Sequence, residues 1–169
     1  MGLDPNQAVA MRDGMLMKLN MEHEGTKKVI DHLPDDNKLS YTPHEKVRNF
    51  AALSTHIYDT GMWFAAIMDK GSASFEGEAP KPEIPTTKKE LLDLANTRTE
   101  QFISTVKSLT PEQLTKEIEF FTFGSFPAVT FFDWHLSHMI HHRGQLTTYL
   151  RTMDAKVPAL YGDSADYPM

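Results

Sequence analysis

Between Pro127 and Pro158 no proline interrupts the chain, and three histidines fall where a helix would bury its apolar side. At about 100° per residue, Phe131, Leu146, Tyr149 and Met153 share one face of a helix from about Ala128 to Met153. His135, His138 and His142 lie on that same face, while His141 points about 100° away from His142. A helix with such a face needs other elements to cover it. It must also satisfy the imidazoles, because each buried polar group without a partner costs about 1–3 kcal/mol.

The remaining chain supplies further helices. Asp4-Pro5 reads as an N-cap followed by proline at the first helical position, and Pro34 should stop that helix near Leu33. Val9, Leu16, Leu19, Ile30 and Leu33 form its stripe, which His23 interrupts. Thr42-Pro43-His44-Glu45 has the pattern of a capping box and predicts a second helix from there to about Met68. Phe50, Leu53, Ile57 and Phe64 mark its buried face, and His56 stands at the margin.

A Gly-, Pro- and Ser-rich stretch over 70–86 predicts a long loop, either functional or a plain crossover. Thr87-Lys88-Lys89-Glu90 is a second capping box, opening a third helix that should end near Leu109. Thr110-Pro111-Glu112-Gln113 starts a short helical turn, and the aromatic run Ile118–Phe126 with Gly124 predicts a hairpin or extended loop. After the histidine-bearing helix, a tail over about 155–169 should lie extended on the surface. Four long helices and almost no strand signal predict an all-α fold, a four-helix bundle with long crossover connections, over a single domain 1–169.

The spacing of His138 and His142, i and i+4, lets two rings reach one ion from the same side of a helix. Two ligands rarely suffice. His56 is the candidate for a third, since helical bundles build metal sites from facing helices. Spacing alone leaves hydrogen-bonded core or surface histidines equally open, and for His23, His32 and His44 that plainer reading is preferred. Composition narrows the chemistry. There are no cysteines, which excludes disulfides, thiolate metal sites and cysteine nucleophiles, so any thiol must come from outside. The formal charge is −6, with 17 basic and 23 acidic side chains and no basic cluster, which argues against nucleic-acid binding. No run approaches the ~18 apolar residues of a membrane span, and the N-terminus does not read as a signal peptide, so a cytoplasmic protein is expected.

The run His135-Leu136-Ser137-His138-Met139-Ile140-His141-His142-Arg143-Gly144-Gln145-Leu146 closely resembles the C-terminal signature of the DinB-like (YfiT-like) family, a His, three residues, then His-Arg-Gly-Gln. Leu53-Ser54-Thr55-His56 resembles that family's second-helix histidine. The resemblance implies a four-helix bundle binding one divalent ion, nickel or zinc, through His56, His138 and His142. His135 would stand behind these ligands. Gln145 could orient a ligand ring or a substrate, and Asp59, one turn from His56, could accept a hydrogen bond from a ligand ring or be solvated. Trp63 could line the pocket or be simple core. For Arg143 and Gly144 the expectations are a structural ion pair and a close helix approach.

Three imidazoles leave a coordination position open, where a metal could lower the pKa of water to about 7, polarise a carbonyl or activate a thiol. Relatives of this fold include transferases and isomerases that use a low-molecular-weight thiol. The resemblance therefore implies a metal-dependent transferase, isomerase or hydrolase-like enzyme acting on a small molecule. The alternative is a non-catalytic, stress-related binding module with a structural ion. DNA repair, suggested only by the family's historical name, conflicts with the acidic balance. The resemblance also implies a homodimer, since bundles of this family commonly pair; Met11, Met15, Met17 and Met21 exceed what one buried stripe needs and would either serve that contact or simply fill core gaps.

Overall fold

The computed structural model describes residues 2–74 and 81–168. Four long helices dominate it: α1 (Pro5–Asp31), α2 (Phe50–Lys70), α3 (Lys88–Ser108) and, after a short helix α4 (Pro111–Thr115), α5 (Thr130–Thr152). Between α4 and α5, β1 (Glu117–Glu119) and β2 (Ser125–Pro127) form the expected hairpin, with Ile118 opposite Phe126. Part of the long α2–α3 loop, residues 75–80, lies outside the described residues.

Local signals account for several helix ends. The Asp4 carboxylate accepts from the backbone N–H of Asn6 and Gln7, at 2.9 and 3.2 Å, with Pro5 opening α1. Thr87 and Glu90 form the reciprocal capping box of α3, and Thr110 and Gln113 that of α4. Gly71 closes α2 at φ +65°, a left-handed conformation suited to glycine.

One helix start is corrected. Thr42 does not cap α2. Its hydroxyl instead donates to the carbonyl of His44 at 2.7 Å, inside a loop that runs to Asn49. Asn49 is the true cap, accepting from the Ala52 N–H at 2.8 Å. The reason is burial. Residues 42–48 are all exposed, including Val47 at 45%, so a helical turn there would have no apolar face to bury. The Phe50 N–H donates to the Tyr41 carbonyl at 2.9 Å and pins the two ends of the loop together. A short 3-10 turn over Asp36–Ser40, capped by Asp35, was also not expected.

Neighbouring helices pack in the cyclic order α1, α3, α2, α5, which places α1 diagonally across from α2. Phe50, Ile57, Phe102, Phe131 and Leu146 fill the shared centre. His23 proves to be a satisfied core histidine. One ring nitrogen lies 3.1 Å from Asn96 Oδ1, and the other accepts from the Thr99 hydroxyl at 3.1 Å and the Tyr58 hydroxyl at 3.4 Å. Arg143 makes the expected structural ion pair, buried against Glu22 at 2.7 Å. Tyr161 of the C-terminal tail bonds both partners and so ties the tail to α1 and α5. Gly144 faces open space, so close helix approach is not its role. Among the described residues no helix is long and apolar enough to cross a membrane.

Candidate metal centre

The seam between α2 and α5 brings His56, His138 and His142 together. One ring nitrogen from each lies within 4.8 Å of the others. His56 Nε2 and His138 Nε2 are 3.1 Å apart, and the ring centroids of His138 and His142 are 4.3 Å apart. Nitrogens bound at about 2.0–2.1 Å around a tetrahedral ion stand about 3.3 Å from each other, so the His56–His138 spacing suits a shared cation.

One hydrogen bond assigns a tautomer. His142 Nδ1 donates to Gln145 Oε1 at 2.8 Å, which leaves its Nε2 lone pair free. His56 Nδ1 lies 3.2 Å from the Thr60 hydroxyl, which can donate or accept, so this contact orients the ring and leaves either tautomer open. Between the close Nε2 atoms of His56 and His138 either one proton or one cation must lie, because two lone pairs or two N–H groups would repel. His138 Nδ1 is buried and has no hydrogen-bond partner among the described residues.

The electrostatics keep these rings neutral. Burial, with the Arg48 charge and His142 adding to it, lowers His56 from 6.5 to about 4. Burial first, and then the neighbouring histidines, brings His138 down to about 3. His142 is also lowered by burial, with the Gln145 bond opposing the shift and His141 and Arg48 reinforcing it. A neutral imidazole is the form that ligates a metal, so no proton needs displacing at neutral pH. These three histidines could hold a metal ion.

The other expected residues fall in different places. Gln145 orients a ring of the cluster, and its amide nitrogen donates to His141 Nε2 at 3.1 Å. Asp59 does not reach His56. It is taken by Arg98 of α3 at 3.1 Å, and Thr60 holds the ring instead. His135 stands apart from the trio, buried against Phe102 at a centroid distance of 4.6 Å and beneath Gly61. Trp63 packs with Phe64, Phe120 and Phe121. All three cluster histidines are only half-buried, so the trio sits at the bundle's margin and not at its centre.

Beside it opens a cleft of about 540 Å³, lined by the loop residues Glu45, Lys46, Val47 and Arg48 together with Leu53, His142, Gln145 and Tyr149. This wall is not legible in the sequence, where Thr42-Pro43-His44-Glu45 has the pattern of a helix start and not of a loop.

The DinB family model matches residues 8–168. The protein YjoA of Bacillus subtilis is 30% identical over 131 residues, spanning 76% of this chain and 81% of its own. YrdA of the same organism is 21% identical over 154 residues, 91% of this chain and 90% of its own. The crystal structure of YjoA, a DinB-like protein, superposes with a TM-score of 0.71 at 26% identity, covering 87% of this chain and 97% of that one. A DinB-like protein from Bacillus cereus gives 0.70 at 28% identity, covering 88% and 97%. A helical bundle matched over nearly its whole length, with the histidine trio on its α2–α5 seam, makes this chain a member of the DinB family.

Proposed function

We propose that the protein is a metal-dependent enzyme that holds one divalent ion, nickel or zinc, through His56, His138 and His142 and acts on a small molecule. The observation that carries this reading is the convergence of three neutral ring nitrogens within 4.8 Å beside an open cleft. With three protein ligands the ion would keep a position for an exchangeable ligand, supplying Lewis-acid activation of water, a carbonyl or an external thiol. The reaction class is a thiol-dependent transferase or isomerase, or a hydrolase. Gln145 supports it by holding His142 in the ligating tautomer, and Thr60 by orienting the His56 ring.

A second reading, a non-catalytic protein with a structural ion, is favoured by one observation. Asp59, the carboxylate nearest His56 in sequence, is engaged by Arg98 and offers no general base. The exposed Met17 and Met21, at 73% and 74%, support a homodimer built on α1 under either reading.

Elemental analysis of untagged protein tests the metal. One equivalent of nickel or zinc is expected, and none in His138→Ala. Thiol-transfer and ester-hydrolysis assays on the loaded protein then separate the two readings. Turnover lost in a folded His138→Ala supports the enzyme, and melting on chelation without any turnover supports the structural ion.

A further inference from the structure

The loop that replaces the expected helical turn carries charge into the cleft and holds it there. Its ends are pinned by the Phe50–Tyr41 backbone bond at 2.9 Å, and the Thr42 hydroxyl donates to the His44 carbonyl at 2.7 Å. The Tyr149 hydroxyl of α5 donates to the Arg48 carbonyl at 3.0 Å, fastening the loop to the helix that bears His138 and His142. Arg48 is therefore placed by its backbone. Its guanidinium makes no ion pair or hydrogen bond among the described residues, unlike Arg12, Arg98, Arg143 and Arg151. It lines the same cleft as His142 and Gln145. Its charge also reaches the cluster, acting after burial among the causes that lower His56 and His142.

We propose that Arg48 is the specificity-determining residue of this cleft, receiving the carboxylate of a small molecule whose other end reaches the three histidines. This inference rests on the metal-centre reading for the far end of that molecule. A guanidinium fork matches a carboxylate with two parallel hydrogen bonds, and an arginine already free of partners breaks no ion pair to make them. Glu45 on the same wall selects the charge of the ligand. It repels a phosphate dianion more strongly than a single carboxylate.

The test uses full-length protein loaded with cobalt(II) and a matched pair of probes, 3-mercaptopropionate and its neutral methyl ester. Binding is read from the cobalt d–d spectrum. The wild type should prefer the acid by about tenfold or more, a margin suited to a charge-assisted pair. Arg48→Gln should bring that ratio to about one while taking up one equivalent of cobalt as before. Arg48→Lys, which keeps the charge and loses the fork, should fall between them. An unchanged ratio in Arg48→Gln, or no preference in the wild type, overturns the inference and leaves the metal centre standing. Failure of the wild type to bind cobalt defeats the metal reading instead. The cleft is then judged in metal-free protein by NMR, where the acid, but not the ester, should shift the Arg48 Nε–H signal. Absence of that shift overturns the inference.

Discussion

Gln145 Oε1 accepts from His142 Nδ1 at 2.8 Å, and this one contact decides which nitrogen of His142 faces away from its own helix neighbour. The same amide donates to His141 at 3.1 Å, which fixes the orientation of the Gln145 side chain. Gln145→Ala should weaken nickel or zinc binding by about tenfold without unfolding the protein, as expected for loss of a group that orients a ligand. Competition against a chromophoric chelator measures it. Equal affinities would mean that His142 needs no such support.

Acid should destabilise the metal-free protein through His135. This ring is 3% exposed, and burial lowers it from 6.5 to about 4. Between those values the unfolded chain binds the proton and the folded chain does not. Stability is therefore complete above about pH 6.5 and falls as pH drops towards 4, by up to about 3 kcal/mol for this group. Urea unfolding at a series of pH values should show that slope, and His135→Phe should flatten it. His56 and His138 contribute with the same sign, since both are lowered.

Breaking the Arg143–Glu22 pair from one side should be costly. The two side chains are 3% and 6% exposed, and Arg143 also donates to the Glu22 carbonyl at 3.0 Å. Glu22→Gln or Arg143→Met leaves one buried charge uncompensated, at about 3–5 kcal/mol. The double variant should lose less than the sum of the two. Additive losses in a denaturation cycle would contradict direct coupling.

Gly61 makes room for His135. A Cβ there would stand 2.8 Å from His135 Nε2 and overlap the ring further at Cε1. Gly61→Ala should cost about 1–3 kcal/mol, because His135 is packed against Phe102 and cannot retreat freely. A melting temperature equal to that of the wild type would show that the ring can move aside.

Much of this architecture was legible along the chain. The Asp4-Pro5 cap, the Thr87–Glu90 box and the hairpin depend on bonds between residues at most ten positions apart, so local pattern suffices for them. His138 and His142 are likewise joined by a single helical turn. Arg143 as a structural ion pair followed from its chemistry, although its partner did not.

Other features were decided only when the helices met. Thr42 and Asn49 both offer caps, and Asn49 prevailed because the residues between them carry only one large apolar side chain, Val47, too little for a buried helical face. Asp59 and Thr60 lie three and four positions after His56. Only the arrival of Arg98 from α3 drew the carboxylate away and left the hydroxyl to hold the ring. A sequence records hydrogen-bonding capacity and period, which set helices and their faces. Which of several willing partners each side chain finds is settled by distance, and packing alone supplies that when it brings His56 of α2 to within 3.1 Å of His138 of α5.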